Sequence, residues 1–130
     1  MNSKAKGERS EGIILGHLMR LGMVVLMPFG NNQRYDMVID EGGDLVRAQC
    51  KTATFKNGCV QFWSCSTNGF TGEKKGYRGQ VDVFLVYCPK LDKIYRVPVN
   101  DVGERAAWLR VDDPKGGPTS TIRWARDYEI

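Results

Sequence analysis

Apolar residues near the start of the chain recur with the period of a helix. They lie on one helical face between residues 4 and 21, at Ile14, Leu15, Leu18 and Leu21. Ser3 precedes this face as a residue suited to cap a helix, and Gly22 follows it as a residue suited to end one. The pattern therefore predicts a first helix over residues 4–21.

Short apolar runs bounded by turn residues dominate the rest of the chain. They predict strands over residues 23–27, 35–40, 45–53, 60–66, 81–88 and 94–99, the first of these buried. The turn at 41–44 makes a hairpin, the glycine-rich stretch 67–79 is predicted to be a flexible loop, and Asn100 or Asp101 can cap a short helix through Trp108. This order predicts a mixed α/β (α+β) fold with one central sheet.

Composition limits the class of protein. A chain of 130 residues with 42% hydrophobic residues is expected to form one domain spanning residues 1–130. The longest apolar run, residues 23–29, is far shorter than the roughly 20 residues of a membrane span, and residues 1–12 are polar. We therefore expect an intracellular, cytoplasmic protein with no membrane partner. The net charge of +4 is compatible with a polyanionic partner and equally with an ordinary solvated surface.

Cysteine and histidine usage excludes several chemistries. The four cysteines, Cys50, Cys59, Cys65 and Cys88, form no CxxC pair, so a structural zinc site and a disulfide framework are both disfavoured. His17 is the sole histidine, which excludes mechanisms that need two imidazoles. Its place in the helical pattern favours a surface or boundary position over a catalytic base.

The segment from residue 28 to 53 carries the candidate chemistry. Strand alternation gives Asp36 one face of its strand, and Gln49 and Lys51 one face of the next strand. If the hairpin joins these faces, a carboxylate, an amide and an ammonium converge on one spot. Glu11 lies on the apolar face of the first helix, either as a residue at the edge of the buried stripe or as a carboxylate aimed across the sheet at a metal.

This set of side chains suits metal-assisted hydrolysis of a phosphodiester. Mg²⁺ prefers oxygen ligands and activates water, and Asp36, Gln49, the backbone carbonyl of Cys50 and Glu11 could supply those oxygens. Lys51 could orient the nucleophile or stabilise charge in the transition state. Taken singly, Asp36 and Lys51 are also compatible with ordinary solvated strand residues, and the spacing alone leaves that alternative open.

Several segments of the chain resemble the PD-(D/E)XK nuclease superfamily. They are residues 7–11 (GERSE), 28–30 (PFG), 34–40 (RYDMVID), 47–53 (RAQCKTA), 79–84 (GQVDVF) and 94–99. The resemblance is to small archaeal-type Holliday junction resolvases and to a group I intron homing endonuclease branch that uses QxK. It implies a restriction-endonuclease-like core, a central mixed β-sheet flanked by helices, and Mg²⁺ as the cofactor, with Mn²⁺ able to substitute.

The resemblance also implies roles for individual residues. Asp36 matches the metal-binding aspartate, Lys51 the catalytic lysine, and Glu11 the helix glutamate that assists the metal. Tyr35 stands where the signature has proline. Gln49 stands where the signature has an acid, so the site has one negative charge fewer, and this chain is either a natural QxK enzyme or a site impaired by substitution.

Polar and basic residues near the candidate site are expected to contact DNA phosphates, namely Asn32, Gln33, Arg34, Lys74, Lys75 and Arg78. Because the chain has no large inserted loop for reading bases, we expect a structure-selective Holliday junction resolvase acting as a homodimer or higher homo-oligomer. A homing or restriction-type endonuclease that cleaves a duplex sequence is the first alternative. An inactive DNA-binding module is the second.

Overall fold

In the computed structural model, which describes residues 2–117 and 120–130, the chain begins with a helix of five turns. Helix α1 spans Ser3–Arg20. Asn2, rather than the expected Ser3, caps it, because the Asn2 Oδ1 accepts a hydrogen bond from the Ala5 N–H at 2.8 Å. The helix ends as predicted at Gly22, where φ is +78° and a side chain would be strained.

Ten strands follow the helix within the described residues. In chain order, β1 to β10 are Val24–Leu26, Met37–Glu41, Asp44–Thr52, Thr54–Lys56, Cys59–Trp63, Cys65–Thr67, Lys74–Gly76, Val83–Cys88, Lys93–Pro98 and Ala106–Arg110. Two short 3₁₀ turns, Val99–Asp101 and Ala125–Asp127, complete the secondary structure.

The central sheet is mixed, as predicted. Its strand order is β1-β2-β3-β8-β9, with β3 and β8 parallel and the other neighbours antiparallel. Strand β8 lies inside the sheet, between β3 and β9, and every residue of this apolar strand is buried. Both faces of the sheet therefore need a cover.

The two faces of the central sheet are covered by different elements. On one face, Ile14 and Leu18 of α1 pack against Met37 and Ile39 of β2. On the other face, a three-stranded sheet of order β10-β5-β4 packs against β8 and β9 through a cluster that includes Val60, Phe62, Phe84, Val86 and Leu109. The described residues contain one α-helix, which flanks the sheet on one face, and the cover on the other face is a sheet.

Three of the predicted helices and strands differ from the structure. The segment expected to be a helix from residue 100 or 101 to Trp108 is a 3₁₀ turn followed by β10, in which Ala107 and Leu109 point inward while Trp108 is exposed. The first strand is not buried, because it lies at the edge of the sheet with Val24 and Leu26 exposed. The predicted strand 60–66 is divided between β5 and β6.

The glycine-rich segment 67–79, predicted to be a loop throughout, contains the turn and the second strand of a β-hairpin. Strands β6 and β7 pair antiparallel, and residues 67–75 are all exposed. Asn68 organises the turn, because its Oδ1 accepts hydrogen bonds from the Phe70 and Thr71 N–H groups at 2.8 and 3.1 Å. In the described part of the chain, no helix is long and apolar enough to cross a membrane.

Candidate active site

Asp36 lies immediately before β2, where the chain joins the hairpin. Its backbone N–H donates to the Ala48 carbonyl at 2.8 Å, and its Oδ2 accepts a hydrogen bond from the Cys50 N–H at 2.8 Å. Burial raises the pKa of the Asp36 carboxyl, while the Cys50 N–H and the Lys51 charge oppose the rise. The carboxylate is therefore fixed in position and partly desolvated.

Gln49 stands beside Asp36 across the β2–β3 hairpin, on the face that strand alternation predicted. The register pairs Met37 with Ala48, which sets Asp36 opposite Gln49. With its amide oriented to suit these neighbours, the Gln49 nitrogen donates to the Arg34 carbonyl at 2.6 Å and lies 3.3 Å from the Asp36 Oδ2. Rotating the amide by half a turn would instead turn its carbonyl oxygen toward these two oxygens, an arrangement that a cation would favour.

Lys51 points into the protein rather than into solvent. Its Nζ donates to the Cys65 carbonyl at 3.2 Å and to the Tyr77 hydroxyl at 3.3 Å. Burial lowers the pKa of the ammonium, and the neighbouring Asp36 carboxylate opposes that shift. Sequence reasoning missed Tyr77, because it follows β7 and reaches the site only when the hairpin packs against the central sheet.

Carboxylates from the first helix share an open cleft with Asp36. The cleft has a volume of about 400 Å³, and Glu8, Glu11 and Asp36 line it. Partial burial, then the charges of Asp36 and Glu8, raise the pKa of Glu11. Sequence reasoning chose Glu11 and missed Glu8, although their spacing of three residues on one helix face could have revealed both.

These groups fit a hard divalent cation. Asp36 and Glu11 repel one another across the cleft, and a cation would relieve that repulsion. The amide oxygen of Gln49 can join them. The backbone N–H of Cys50 donates to Asp36. The role predicted for the Cys50 backbone carbonyl, as a ligand of the cation, stays a prediction. Within residues 2–117 and 120–130, no three His, Cys, Asp or Glu side chains form a metal cluster.

The predicted DNA contacts fall into two groups. Asn32 and Gln33 are exposed in the segment between β1 and β2, and Gln33 lines the acidic cleft. Lys74 and Lys75 are exposed on β7, where the Lys74 Nζ lies 5.3 Å from the centre of the exposed Trp63 ring. Contact of these four residues with DNA stays a prediction.

The two predicted arginine contacts are engaged with protein groups. Every guanidinium nitrogen of Arg34 donates to an oxygen of the hairpin or of Gln80, so it stabilises the protein and we propose no direct DNA contact for it. Arg78 donates to the Val102 carbonyl at 3.0 Å and lies 3.7 Å from Glu104. Its phosphate contact stays a prediction.

The four cysteines and the single histidine lie in different parts of the structure. All four cysteines are reduced, and three of them are buried. His17 is half-buried and lines a cavity near the C-terminus that is distinct from the acidic cleft. Among the described residues its Nε2 has no hydrogen-bond partner.

Comparison with known families identifies the family of this chain. A family model described as "PD-(D/E)XK endonuclease" matches residues 1–130. The chain belongs to the PD-(D/E)XK endonuclease family. Endonucleases of this family act on DNA, and the family assignment confirms the resemblance detected in the sequence.

A solved structure shares the fold. It is titled as the structure of a bacterial homing endonuclease, I-Ssp6803I, and it matches with a TM-score of 0.77 and 24% sequence identity, covering 99% of this chain and 89% of that chain. This likeness confirms the restriction-endonuclease-like fold. A comparison with curated protein sequences finds no match.

Proposed function

We propose that this protein is a Mg²⁺-dependent DNA endonuclease that cleaves duplex DNA at a preferred sequence. The observation that carries the proposal is the convergence of Asp36, Gln49 and Lys51 on one side of a hairpin, facing Glu11 across an open cleft. The Gln49 nitrogen lies 3.3 Å from the Asp36 Oδ2, and the Asp36 charge opposes the fall in the pKa of Lys51 that burial causes.

Each residue has a distinct task in this proposal. Asp36 and Glu11, with the Gln49 amide oxygen, would hold the cation, for which Mn²⁺ is expected to substitute for Mg²⁺. A cation held there supplies charge neutralisation for the phosphate and lowers the pKa of a water. Lys51, held by the Cys65 carbonyl and Tyr77, would stabilise the charge that develops on the phosphate oxygens.

The β6–β7 hairpin favours duplex reading over junction selectivity. Junction selectivity was expected because the chain offered little surface for reading bases, but a two-stranded ribbon fits the major groove of B-DNA. This hairpin is exposed, carries Lys74 and Lys75, and ends in a fully exposed Phe70. The shared fold with a homing endonuclease supports the same choice. A two-fold dimer would present one site to each strand of the duplex.

A cleavage assay on two substrates tests the proposal. A randomised linear duplex library and a four-way junction are each incubated with the protein and Mg²⁺, and the products are sequenced. Cleavage at one duplex sequence is the expected result, with chelation by EDTA abolishing it. Selective nicking of the junction would instead establish a resolvase, and tight binding with no cleavage would establish the inactive DNA-binding module.

Two substitutions test the assignment of the site. Asp36→Asn and Lys51→Ala are each expected to reduce the cleavage rate at least about 100-fold, because each removes a group that acts on the transition-state charge. Asp44→Asn, at an exposed strand start away from the cleft, is the matched control. Near wild-type cleavage by Asp36→Asn or Lys51→Ala would contradict the role of that residue.

A further inference from the structure

Tyr77 joins the hydrophobic core to the candidate active site. It directly follows β7, and its side chain is 4% exposed. Its ring forms a T-shaped contact with that of Phe84, with the two ring centres 5.6 Å apart. Its hydroxyl leaves the core and accepts the hydrogen bond from the Lys51 Nζ at 3.3 Å. The core thus fixes the position of a polar atom that contacts the ammonium.

Both oxygens that accept hydrogen bonds from Lys51 lie at the base of the same hairpin. Cys65 is the first residue of β6, and Tyr77 comes one residue after the end of β7. A lysine side chain has four rotatable bonds, so its ammonium adopts one position only where acceptors select it. The hairpin therefore selects the position of the Lys51 ammonium.

Arg34 fastens this hairpin base to the strand segment that carries Asp36. Its guanidinium carbon lies 4.1 Å from the centre of the Tyr77 ring, and it donates to the Gly76 carbonyl and the Ser66 hydroxyl, each at 2.7 Å. The Lys51 Nζ lies 4.9 Å from the same ring centre. The ring is thus in cation–π contact with both side chains, which fixes its orientation.

We propose that Tyr77 is a positioning residue for Lys51, and that through it the hairpin sets the geometry of the catalytic ammonium. This inference rests on the endonuclease function proposed above. Tyr77 does not touch the substrate; it holds the ammonium where the phosphate charge develops. Displacing the hairpin base would therefore misplace Lys51 without removing any group that holds the cation.

The test is Tyr77→Phe, which keeps the ring and removes the hydroxyl. We expect the single-turnover cleavage rate at saturating DNA and Mg²⁺ to fall roughly tenfold, because loss of one positioning contact misaligns the reacting groups. The Kd for DNA, measured with Ca²⁺ in place of Mg²⁺, should change less than about twofold. Tyr128→Phe is the matched control, since its hydroxyl contacts Asp101 at 3.1 Å rather than Lys51.

A double-mutant cycle shows whether Tyr77 acts through Lys51. In the Lys51→Ala background, adding Tyr77→Phe should leave the residual rate unchanged, because the group that Tyr77 positions is gone. An unchanged rate in Tyr77→Phe alone would overturn the proposal. So would an equal loss of rate in both backgrounds, which would indicate a general structural effect.

A measurement without DNA separates this proposal from the proposed function. NMR relaxation of the Lys51 side-chain carbon next to the ammonium reports its mobility in the free protein. Tyr77→Phe should increase that mobility, and Tyr128→Phe should not. If the wild-type protein cleaves no DNA, the proposed endonuclease function is wrong. The NMR result still tests whether the Tyr77 hydroxyl restrains the Lys51 side chain. An immobile Lys51 side chain in Tyr77→Phe would overturn the positioning role.

Discussion

Replacing Gln49 with glutamate restores the acid that the family signature has at this position and tests the electrostatics of the site. In the structure, the Gln49 amide nitrogen donates to the Arg34 carbonyl at 2.6 Å and lies 3.3 Å from the Asp36 Oδ2. In Gln49→Glu a carboxylate oxygen would replace that nitrogen. This carboxylate oxygen would face the Arg34 carbonyl oxygen and the Asp36 Oδ2. Without a cation the substitution should therefore destabilise the protein.

The distances set the size of this effect. Two unit charges 3.3 Å apart at an effective dielectric constant near 20 repel by about 5 kcal/mol. Both side chains are only half-buried, so solvent screening reduces the cost to about 2–3 kcal/mol at pH 8. For a domain of this size that lowers Tm by about 10 °C.

The destabilisation should depend on pH in one direction. Repulsion raises the folded-state pKa of the new carboxyl above its unfolded value, so the protein is least affected at acidic pH and loses stability as pH rises through the folded-state pKa. Near pH 5, protonating one carboxyl costs only about 1 kcal/mol, which limits the penalty to that size. Thermal unfolding in EDTA at pH 5 and pH 8 measures the difference.

Divalent cations should reverse the effect. Mg²⁺ should raise the Tm of Gln49→Glu more than that of wild type, and the Mg²⁺ concentration giving half-maximal cleavage should fall about tenfold, because the site gains a charged ligand. Gln61→Glu is the matched control, since the Gln61 nitrogen also donates to a carbonyl, that of Lys56 at 3.1 Å. Equal Tm and Mg²⁺ requirement in Gln49→Glu and wild type would refute this account of the site.

Three further predictions concern other parts of the protein. Burial, followed by the Asp36 and Glu11 charges, raises the pKa of the Cys50 thiol. Iodoacetamide at pH 8 should therefore alkylate this thiol far more slowly than the cysteine of a model peptide. Rapid labelling in intact-mass spectra would contradict this. Phe70→Ala should weaken DNA binding by about 1–2 kcal/mol in fluorescence anisotropy while leaving Tm unchanged, and an unaltered Kd would exclude contact of the ring with bases. Ser64→Ala should lower the free energy of unfolding, measured in urea, by about 1–2 kcal/mol. The reason is that the buried Ser64 hydroxyl donates to the Gly103 carbonyl at 2.6 Å. Unaltered stability would show that water satisfies this carbonyl.

Local patterns predicted the parts of the fold whose partners are near in sequence. The helical spacing of Ile14 and Leu18 located α1, and alternation on both sides of a short turn located the β2–β3 hairpin. The helix expected through Trp108 failed because the segment 105–110 contains good helix formers, and pairing with β5 overrode that preference. No local signal announces a strand whose partner lies more than forty residues earlier in the chain.

The residues of the candidate site were predictable where they are close in sequence and not where they are distant. Asp36, Gln49 and Lys51 belong to one hairpin, so strand alternation was enough to bring them to one face. Tyr77 lies 26 residues beyond Lys51 and reaches it through a second hairpin. Arg34 was read as a phosphate ligand because a basic residue in a predicted loop is normally solvated. Packing of that hairpin turned it into an internal contact instead.

The β6–β7 hairpin affects the step at which DNA sequence specificity would arise. Its exposed end carries Phe70 and Lys74, while its base holds the Lys51 ammonium through Cys65 and Tyr77. A DNA sequence to which the β6–β7 hairpin binds fully would also hold Lys51 in its productive position. A poorly matched duplex could still bind through phosphate contacts. Discrimination between sequences would then appear in the rate of the chemical step more than in Kd. Since few side chains reach base edges from so short a ribbon, selection in the chemical step gives a small nuclease more discrimination than binding alone would provide.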